Sequence, residues 1–386
     1  MTRKIVLFED AAVADLLPLT YWRSVFELRW GRKVLVDRAA QRLETPISGL
    51  WTRDWIGDVA AQRCGLPTNG AADDATVLVN GRWIMEGPVE WASAPCVGEI
   101  AGEAAYVVCD AALAARLDPG VMLDGESFAT ALAKVPRANA DGMLVRYPWE
   151  FVSGLRDALM ADWSPKDAGC EGEHDRTVLI DAAESVHIGN GAGIHPTAVI
   201  DADEGPVFIG ERARIGAHCV IEGPAYIGPG TRINPHAWIH GGNSFGPMCK
   251  LGGEIDGCVI MGYSNKQHAG FLGHSYVGSW VNLGAGTTNS DLKNTYGNVR
   301  VPIRGTPVDT GGMCFGAIIA DHVKTAINTT IPTGAVIGTA ANVMCGGIAP
   351  RFVPPFAWIT ADGTERGDVN RLVAVAAKVM ARRGVT

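Results

Sequence analysis

The sequence predicts a two-domain protein in which an α/β domain precedes a parallel β-helix. Residues 1–165 alternate short apolar runs with segments whose apolar residues recur at helical spacing. Residues 178–348 instead repeat an apolar residue every six positions. The content of 48 Gly in 386 residues is typical of a chain with many tight turns. A chain of this length can bury two separate cores.

The α/β domain is predicted from three segments of residues 1–165. Buried strands are expected at Lys4–Phe8 and Ala75–Asn80, which are short apolar runs. Gly125–Val135 has apolar residues at helical spacing and is expected to be a helix. This alternation favours a mainly parallel sheet. The small, polar and charged segment 166–177 is expected to link the two domains.

The β-helix is predicted from an apolar period of six. Eight consecutive positions fall on this period: Ile209, Ile215, Ile221, Ile227, Ile233, Ile239, Phe245 and Leu251. The series is expected to resume at Phe271, Val277 and Leu283, and again from Ile319 to Val343. Neither a helix nor a simple strand has this period, whereas a parallel β-helix stacks three hexapeptides in each coil.

Residues 349–386 are expected to close the β-helix. Pro350–Ile359 is rich in Pro and aromatic residues and suits packing over the open end, where strand edges lack partners. A helix is predicted to follow, with Asp368 as its N-cap. Arg382 and Arg383 near its end suit the negative end of the helix dipole.

Composition excludes several classes of protein. The net charge of −8 argues against a general nucleic-acid-binding protein. The nine Cys are odd in number, irregularly spaced and without a CxxC pair, which indicates free thiols in a reducing compartment. The N-terminus does not read as a signal peptide, and no apolar run is long enough to span a bilayer. We therefore expect a cytoplasmic protein with no nucleic-acid partner and no membrane insertion.

The six-residue period breaks at Gly262–Ser275, GYSNKQHAGFLGHS. Asn, Lys, Gln and two His stand where the repeat calls for a small hydrophobic residue and a turn. The same segment carries a resemblance to a known family. Val178–Val343 resembles the left-handed β-helix of the bifunctional enzymes that acetylate glucosamine-1-phosphate and then uridylylate it. The His loop, followed fourteen residues later by NLGAGT, is the most specific part of the match.

Further segments extend this resemblance along the chain. In the second half they are WVNLGAGTTNSDLKN (Trp280–Asn294) and DHVKTAINTTIPTGAVIG (Asp321–Gly338). The first half resembles the nucleotidyltransferase-like domain of an alternative bacterial branch of that family. The segments that carry this likeness are PLTYWRSVFELRWGR (Pro18–Arg32), VLVNGRW (Val77–Trp83) and YPWEFV (Tyr147–Val152).

The resemblance implies an acetyltransferase site in the broken coil. It implies that His268 is the general base that deprotonates a sugar ammonium, and His titrates near the working pH. It assigns the oxyanion donor to the main chain near Ala285 and a sugar contact to Asn282, with acetyl-CoA as co-substrate and a homotrimer as the assembly. Lys293 and Lys266 are expected to meet the phosphate. His274 is the weaker candidate for the base, since its six-residue offset suggests the next turn of the same face.

The chain also departs from the best-known form of that family. Two basic residues that usually hold the sugar phosphate are replaced by His240 and Asp256. A Tyr after the catalytic His becomes Phe271, and an Asn on the sugar side becomes Asp291, while Glu254 keeps its place. Fewer positive charges weaken phosphate binding, whereas a carboxylate suits an ammonium group.

The first domain lacks two features of a nucleotidyltransferase. The Gly-rich phosphate loop is absent, and Asn80 stands where a metal-binding Asp is expected. Nucleotidyl transfer with Mg²⁺ and UTP would then need substitute groups, for which we consider Arg23, Arg29, Arg32 and Arg82. The alternative is a degenerate domain with a scaffolding or regulatory role.

The sequence thus predicts acetyl-CoA-dependent N-acetylation of glucosamine-1-phosphate or a related amino-sugar phosphate, with nucleotidyl transfer to UDP-N-acetylglucosamine as a second activity. One alternative is a sugar-1-phosphate nucleotidyltransferase alone, and another is a trimeric scaffold that binds a nucleotide sugar. A zinc enzyme of the gamma carbonic anhydrase type is the weakest alternative. His218, His236 and His240 would have to converge on the zinc, their spacing does not match that family, and no metal site is expected.

Overall fold

A six-stranded mixed sheet organises the first of two units in the computed structural model, which describes residues 3–385. The first unit comprises the chain up to Leu28 together with Lys33–Tyr147. The second comprises Arg29–Arg32 and the chain from Pro148 onward.

The strands before Tyr147 are short. They are β1 (Lys4–Phe8), β2 (Arg29–Trp30), β3 (Lys33–Val34), β4 (Ile47–Trp51), β5 (Thr76–Asn80), β6 (Trp83–Met85), β7 (Cys96–Ile100), β8 (Glu103–Val108), β9 (Arg137–Asn139) and β10 (Gly142–Leu144). The main sheet has the order β4-β1-β5-β8-β7-β9. β1 is parallel to β4 and β5, whereas β8 is antiparallel to β5 and β7. β5 is central, which explains why all its side chains are buried.

The helices of the first unit connect these strands. They are α1 (Leu35–Leu43), α2 (Gly57–Cys64), α3 (Ala111–Ala114), α4 (Pro119–Leu123) and α5 (Gly125–Leu132), with 3-10 turns at Ala11–Leu16, Val25–Glu27 and Asp54–Ile56. The predicted strand at Lys4–Phe8 is confirmed, and the one predicted from Ala75 begins at Thr76. The predicted helix at Gly125–Val135 ends at Leu132.

The second unit is a left-handed parallel β-helix, as predicted. Its first face is a ten-stranded sheet. The strands are β11 (Gly169–Cys170), β14 (Val186–Ile188), β17 (Val207–Ile209), β20 (Ala225–Ile227), β23 (Asn243–Phe245), β26 (Val259–Ile260), β29 (Tyr276–Val277), β33 (Ala317–Ile319), β36 (Ala335–Ile337) and β39 (Phe352–Val353).

The second face begins with six strands: β12 (Glu173–His174), β15 (Gly193–Ile194), β18 (Arg214–Ile215), β21 (Arg232–Ile233), β24 (Lys250–Leu251) and β27 (Asn265–Lys266). Single bridges through Asn282 continue it to β34 (Lys324–Thr325), β37 (Asn342–Val343) and β40 (Ala357–Thr360). β41 (Gly363–Arg366) then pairs with β40 in antiparallel orientation.

The third face also begins with six strands: β13 (Leu179–Asp181), β16 (Val199–Asp201), β19 (Val220–Glu222), β22 (Trp238–Ile239), β25 (Glu254–Asp256) and β28 (Phe271–Gly273). It continues with β30 (Thr288–Asn289), β35 (Thr329–Ile331) and β38 (Gly347–Ile348). Between β30 and β33 the chain leaves the coil and forms the hairpin of β31 (Arg300–Ile303) and β32 (Thr306–Asp309).

Three helices complete the second unit. They are α6 (Pro148–Ser153), α7 (Leu155–Ala161) and α8 (Val369–Ala381), with 3-10 turns at Pro165–Asp167 and Ala183–Ser185. The Asp368 side chain accepts from Arg371 N, which confirms the predicted N-cap of α8. Within residues 3–385, no helix combines the length and the apolar character needed to cross a bilayer.

The core of the β-helix consists of columns of apolar side chains. Ile188, Ile209 and Ile227 are paired along the first face, and Ile215 and Ile233 along the second. These side chains are at most 2% exposed. The prediction of Phe271 as a core residue is wrong. Phe271 is partly exposed, and Leu272 fills the interior instead, where it is 1% exposed. The period shifts there because β25 and β28 pair Ile255 with Leu272, which turns Phe271 outward.

The structure differs from the predicted domain boundaries in three places. Contacts divide the chain after Tyr147 rather than at residue 165, and they assign Arg29–Arg32 to the second unit. The expected linker at 166–177 contains β11 and β12, which pair with β14 and β15 as part of the first coil. The expected cap from residue 349 contains β39 and β40, which continue the first and second faces.

Candidate functional site

The broken coil at Gly262–Ser275 is held from inside by Lys266. Register pairs Lys266 with Leu251, so its side chain enters the interior and is 4% exposed. Its Nζ donates to the carbonyls of Gly252, His268 and Gly270 at 2.9, 2.8 and 2.6 Å. Burial lowers the pKa of Lys266 to about 8. An ammonium has three N–H donors, and all are used, which corrects the expectation that Lys266 meets a phosphate.

His268 combines a fixed backbone with a free ring. Its carbonyl accepts from Lys266, while its side chain is exposed. Within residues 3–385, the imidazole has no hydrogen-bond partner. The ring is therefore accessible to a substrate, but no neighbouring side chain orients it.

His274 forms an ordered pair with Asp291. Its Nδ1 lies 2.7 Å from Asp291 Oδ2, and about a third of its side chain is exposed. The hydrogen bond to Asp291 raises the pKa of His274 against the lowering effect of burial, and the charge of Asp256 adds to the rise. With Nδ1–H donating to Asp291, Nε2 is the nitrogen that can accept a proton.

Asn289 and Gly257 fix the surroundings of this pair. Asn289 is 5% exposed, and its side chain accepts from Gly273 N at 2.7 Å and donates to Gly273 O at 3.0 Å. These bonds hold the backbone directly before His274. A Cβ on Gly257 would lie 2.9 Å from His274 Cδ2, so the absence of a side chain at Gly257 makes room for the ring. The sequence signal for Asn289 is a polar residue at a position that should be apolar.

The outward side chains of the third face near this pair are mostly acidic. His240 lies between two carboxylates, with Nδ1 3.3 Å from Glu222 Oε2 and Nε2 3.2 Å from Glu254 Oε1. Register places Phe271 beside Glu254, and Asp256 beside Gly273. Three expected substrate-binding residues (His240, Glu254 and Phe271) therefore share one face with the His274–Asp291 pair. This face suits an ammonium group better than a phosphate.

The turn at Gly284–Gly286 supplies a free backbone donor. The carbonyl of Ala285 accepts from Asn328 N at 2.7 Å. Its N–H has no acceptor within the described part of the chain and is available for an oxyanion. Asn282 is exposed on the second face, where its Oδ1 accepts from Asn265 Nδ2 at 3.3 Å. Lys293 bonds the carbonyl of Asn298 within its own loop, so this contact competes with the expected phosphate contact.

The carboxyl ends of β1, β4 and β5 in the first unit carry buried ion pairs. Arg82 is fully buried, and its guanidinium donates to Asp10 Oδ1 and Oδ2 at 2.9 and 2.6 Å. It also reaches Glu103 and the carbonyl of Val145. Asn80 Nδ2 donates to Asp10 Oδ2 at 2.8 Å. The side chains of Asn80 and Arg82 thus lie close together because both donate to the same carboxylate, that of Asp10.

The remaining arginines expected at a nucleotide lie elsewhere. Arg23 is buried at 7% exposure in the first unit. Arg29 and Arg32 belong to the second unit, where Arg32 Nη1 pairs with Asp167 at 2.8 Å. Arg29 Nη1 donates to the carbonyl of Arg32 at 2.6 Å. The role of these arginines as substitute groups for nucleotidyl transfer stays a prediction. A second buried pair, Arg53 with Glu9 at 3.0 Å, gave no recognisable sequence signal.

Two family models match parts of the chain. Residues 5–169 match the family described as sugar nucleotidyl transferase. Residues 206–241 match the bacterial transferase hexapeptide of six repeats. A region similar to sugar nucleotidyl transferases thus precedes the hexapeptide-repeat β-helix.

Curated relatives match parts of the chain. A bifunctional sugar-1-phosphate nucleotidylyltransferase/acetyltransferase of Sulfurisphaera tokodaii is 36% identical over 100 residues, which are 26% of this chain and 25% of that protein. The bifunctional protein GlmU of Methanococcus vannielii is 35% identical over 86 residues, which are 22% of this chain and 20% of that protein. The chain thus spans a quarter or less of the length of these relatives.

One solved structure covers about half of the chain. The UDP-N-acetylglucosamine O-acyltransferase of Moraxella catarrhalis is 17% identical and covers 55% of this chain and 78% of its own, with a TM-score of 0.22.

The residues of the first unit do not fit a magnesium ion at the predicted position. Mg²⁺ prefers carboxylate oxygens, but Asn80 offers an amide, and its NH₂ group donates to Asp10. Both oxygens of Asp10 already accept from the Arg82 guanidinium. The guanidinium of Arg82 thus supplies the positive charge beside Asp10 at this edge of the sheet. Within residues 3–385, no group of three or more His, Cys, Asp or Glu is arranged to hold a metal.

Proposed function

We propose that the hexapeptide-repeat domain transfers an acetyl group from acetyl-CoA to the amine of an amino-sugar phosphate, with glucosamine-1-phosphate as the first acceptor to test. The His274–Asp291 pair carries the proposal, because an outward imidazole oriented by a carboxylate is suited to general base catalysis. The acidic third face around it suits a substrate ammonium. The name of the Sulfurisphaera tokodaii relative agrees with this class of reaction.

The reaction needs a base, a nucleophile and an oxyanion donor. The acceptor binds as an ammonium and first releases one proton to solvent, which leaves a neutral, nucleophilic amine. Its nitrogen then attacks the thioester carbonyl of acetyl-CoA, and the Ala285 N–H is the donor we assign to the developing oxyanion. As the C–N bond forms and the C–S bond breaks, the imidazole takes a proton from the nitrogen and returns it to the CoA sulfur. The products are the N-acetyl sugar and CoA.

Two histidines compete for the role of base. The family resemblance favours His268, whose exposed ring can reach a substrate without displacing a partner. The geometry favours His274, because Asp291 fixes its tautomer and orientation. The base matters more than any other assignment here, since general base catalysis contributes about 10²- to 10⁴-fold in rate.

The test is CoA release from acetyl-CoA and glucosamine-1-phosphate by the wild type and by His268→Asn and His274→Asn. The variant that lacks the general base should have a kcat lower by about 10²-fold or more. The variant of the other histidine should change mainly KM. His174→Asn is the matched control, since His174 is exposed on the first coil, several coils away from Gly262–Ser275. CoA release at wild-type rate in both variants would remove both histidines from the mechanism. No CoA release with any amino sugar would favour a binding scaffold.

Nucleotidyl transfer is the second candidate function, favoured by the match of residues 5–169 to sugar nucleotidyl transferases. The measurement is pyrophosphate release from UTP with N-acetylglucosamine-1-phosphate, with and without Mg²⁺. UDP-N-acetylglucosamine would be the product. Because Asp10 and Glu9 are paired with Arg82 and Arg53, we expect this activity to be far weaker than acetyl transfer. A comparable rate would show that these pairs open when the nucleotide binds.

We further propose a cytoplasmic homotrimer. All nine cysteines are free thiols, and Cys170 and Cys314 are exposed, which suits a reducing compartment. A trimer would have three times the 40.8 kDa mass of the chain, which light scattering after size exclusion measures directly. A monomeric mass would contradict this assembly.

A further inference from the structure

A cationic groove runs between α8 and the second face of the β-helix. It has a volume of about 290 Å³. The residues that line it are Lys250, Asn265, Gln267, Trp280, Asn282, Lys324, Val379, Arg382 and Arg383. Four of these are cations, and no carboxylate is among them. Gln267 directly precedes His268, so the groove reaches the broken coil.

The floor of the groove is one column of outward side chains. Register places Lys250, Asn265, Asn282 and Lys324 on successive coils of the second face. With coils about 4.8 Å apart, Lys250 and Lys324 are separated by about 14 Å along the column. The two Asn side chains between them offer neutral donors and acceptors. This spacing fits a ligand that presents polar groups along an extended path.

α8 provides the roof and is attached through Arg383. This guanidinium donates to the carbonyl of Met248 at 3.0 Å and to Asn265 Oδ1 at 2.8 Å. Arg382 is exposed and lines the groove without a salt bridge within residues 3–385. Arg383 thus has a structural task, whereas Arg382 is available to a ligand.

The cations in the groove repel one another. The charge of Arg383 lowers the pKa of Lys250, and burial, Arg232 and Arg382 lower it further. Burial lowers the pKa of Lys324, whose Nζ donates to the His322 carbonyl at 3.0 Å. Neither lysine has a carboxylate partner in the described chain. Like charges held together without a counterion are costly, and a bound anion relieves this cost.

The proposed reaction needs a phosphate site that the expected residues do not supply. Lys266 uses all three donors inside the coil, and Lys293 bonds its own loop. His240 stands between two carboxylates. Both substrates of the proposed reaction nevertheless carry phosphate.

We propose that this groove binds phosphoryl groups of the acetyl-transfer substrates, with Lys250, Lys324 and Arg382 as the contacting cations. The ligand is a phosphorylated small molecule, and its identity as a substrate rests on the proposed function. Two sources share this chemistry: the nucleotide end of CoA and the phosphate of the acceptor sugar. CoA and the acceptor sugar are both substrates of the proposed reaction. A phosphate bound in the groove would therefore contact the cation at the end of α8 and lie close to the coil that carries His268.

The experiment is calorimetric titration of the full-length protein with CoA, dephospho-CoA, glucosamine-1-phosphate and pyrophosphate. The variants are Lys250→Met, Lys324→Met and Arg382→Gln. Each substitution should weaken the binding of the ligand that occupies the groove about tenfold, which is the scale of one charge-assisted hydrogen bond. Weaker binding of dephospho-CoA than of CoA would assign the groove to CoA, and an effect confined to glucosamine-1-phosphate would assign it to the sugar. Arg371→Gln is the control, because it removes the same charge from an exposed position of α8 that does not line the groove.

Proton uptake is a second readout that a structural role would not change. Anion binding raises the lowered pKa of Lys250 and Lys324, so binding at alkaline pH should take up protons, which titrations in buffers of different ionisation enthalpy detect. Unchanged affinities in all three variants, or no binding of any phosphate compound, would overturn the proposal. Acetyl transfer with unchanged KM values in the variants would reject the groove alone. Binding without any turnover would reject the proposed function alone.

Discussion

Lys266 occupies the inward position that Leu251 occupies one coil earlier. A stack of aliphatic side chains therefore contains one ammonium group, bonded to three carbonyls around the loop of His268. The position is polar because the three carbonyls that face Lys266 accept its N–H groups, and buried carbonyls need donors. A departure from the repeat thus supports the geometry of the loop.

Stability should rise with pH because of Lys266. The pKa of Lys266 is about 8 in the folded state, against 10.5 in the unfolded state, so the unfolded state binds the proton more tightly. The native state therefore gains stability between pH 8 and 10.5, by roughly 3 kcal/mol. Denaturant titrations should show this gain in wild type relative to Lys266→Met. Lys378→Met, at an exposed site, should keep it; the same pH dependence in both variants would contradict the assignment.

The His274–Asp291 pair should set the acid limb of the pH–rate profile. Asp291 raises the pKa of His274, so the base becomes neutral at a higher pH than an ordinary His. Asp291→Asn should move the acid limb of kcat to lower pH and lower the maximal rate about tenfold or more, through loss of ring orientation. An unmoved limb would exclude His274 as the group that titrates.

Gly257→Ala should disturb the same ring. Gly257 has φ of +59°, and a Cβ there would lie 2.9 Å from His274 Cδ2. We expect a loss of stability of about 1 kcal/mol or more, together with reduced acetyl transfer. Gly305→Ala is the matched control, since its φ is +82° and nothing lies within 4 Å of the added Cβ. Equal activity in the two variants would show that the ring position does not matter.

Arg82→Met should destabilise the first unit by about 3–5 kcal/mol, because Asp10 would remain buried without its arginine partner. The double variant Asp10→Asn/Arg82→Met should recover part of this loss. Arg146→Met removes a half-exposed guanidinium from its pair with Asp15 and should cost less than the loss of the fully buried Arg82. Thermal unfolding of the three variants makes the comparison, and equal losses for Arg82 and Arg146 would contradict it.

Local patterns in the sequence predicted the architecture because columns of the β-helix repeat every six residues, as at Ile215 and Ile233. They failed at Phe271, because the coil from Ile255 to Leu272 advances 17 residues, one fewer than three hexapeptides. The His274–Asp291 pair was not predicted because it joins two coils across seventeen residues of sequence. The Asp10–Arg82 pair was not predicted because it joins β1 to the turn after β5. A charged residue whose partner is distant in sequence has no periodic signal.

The polar interior around Lys266 and Asn289 has a consequence for how the molecule moves. Each coil of a solenoid is supported only by its two neighbours, so a coil with polar side chains in its interior has a lower local stability than its neighbours. Amide hydrogens in Lys266–Gly273 should therefore exchange with solvent before those near Ile215 and Ile337. We therefore expect the coil that carries both histidines to open to solvent more readily than the coils on either side of it.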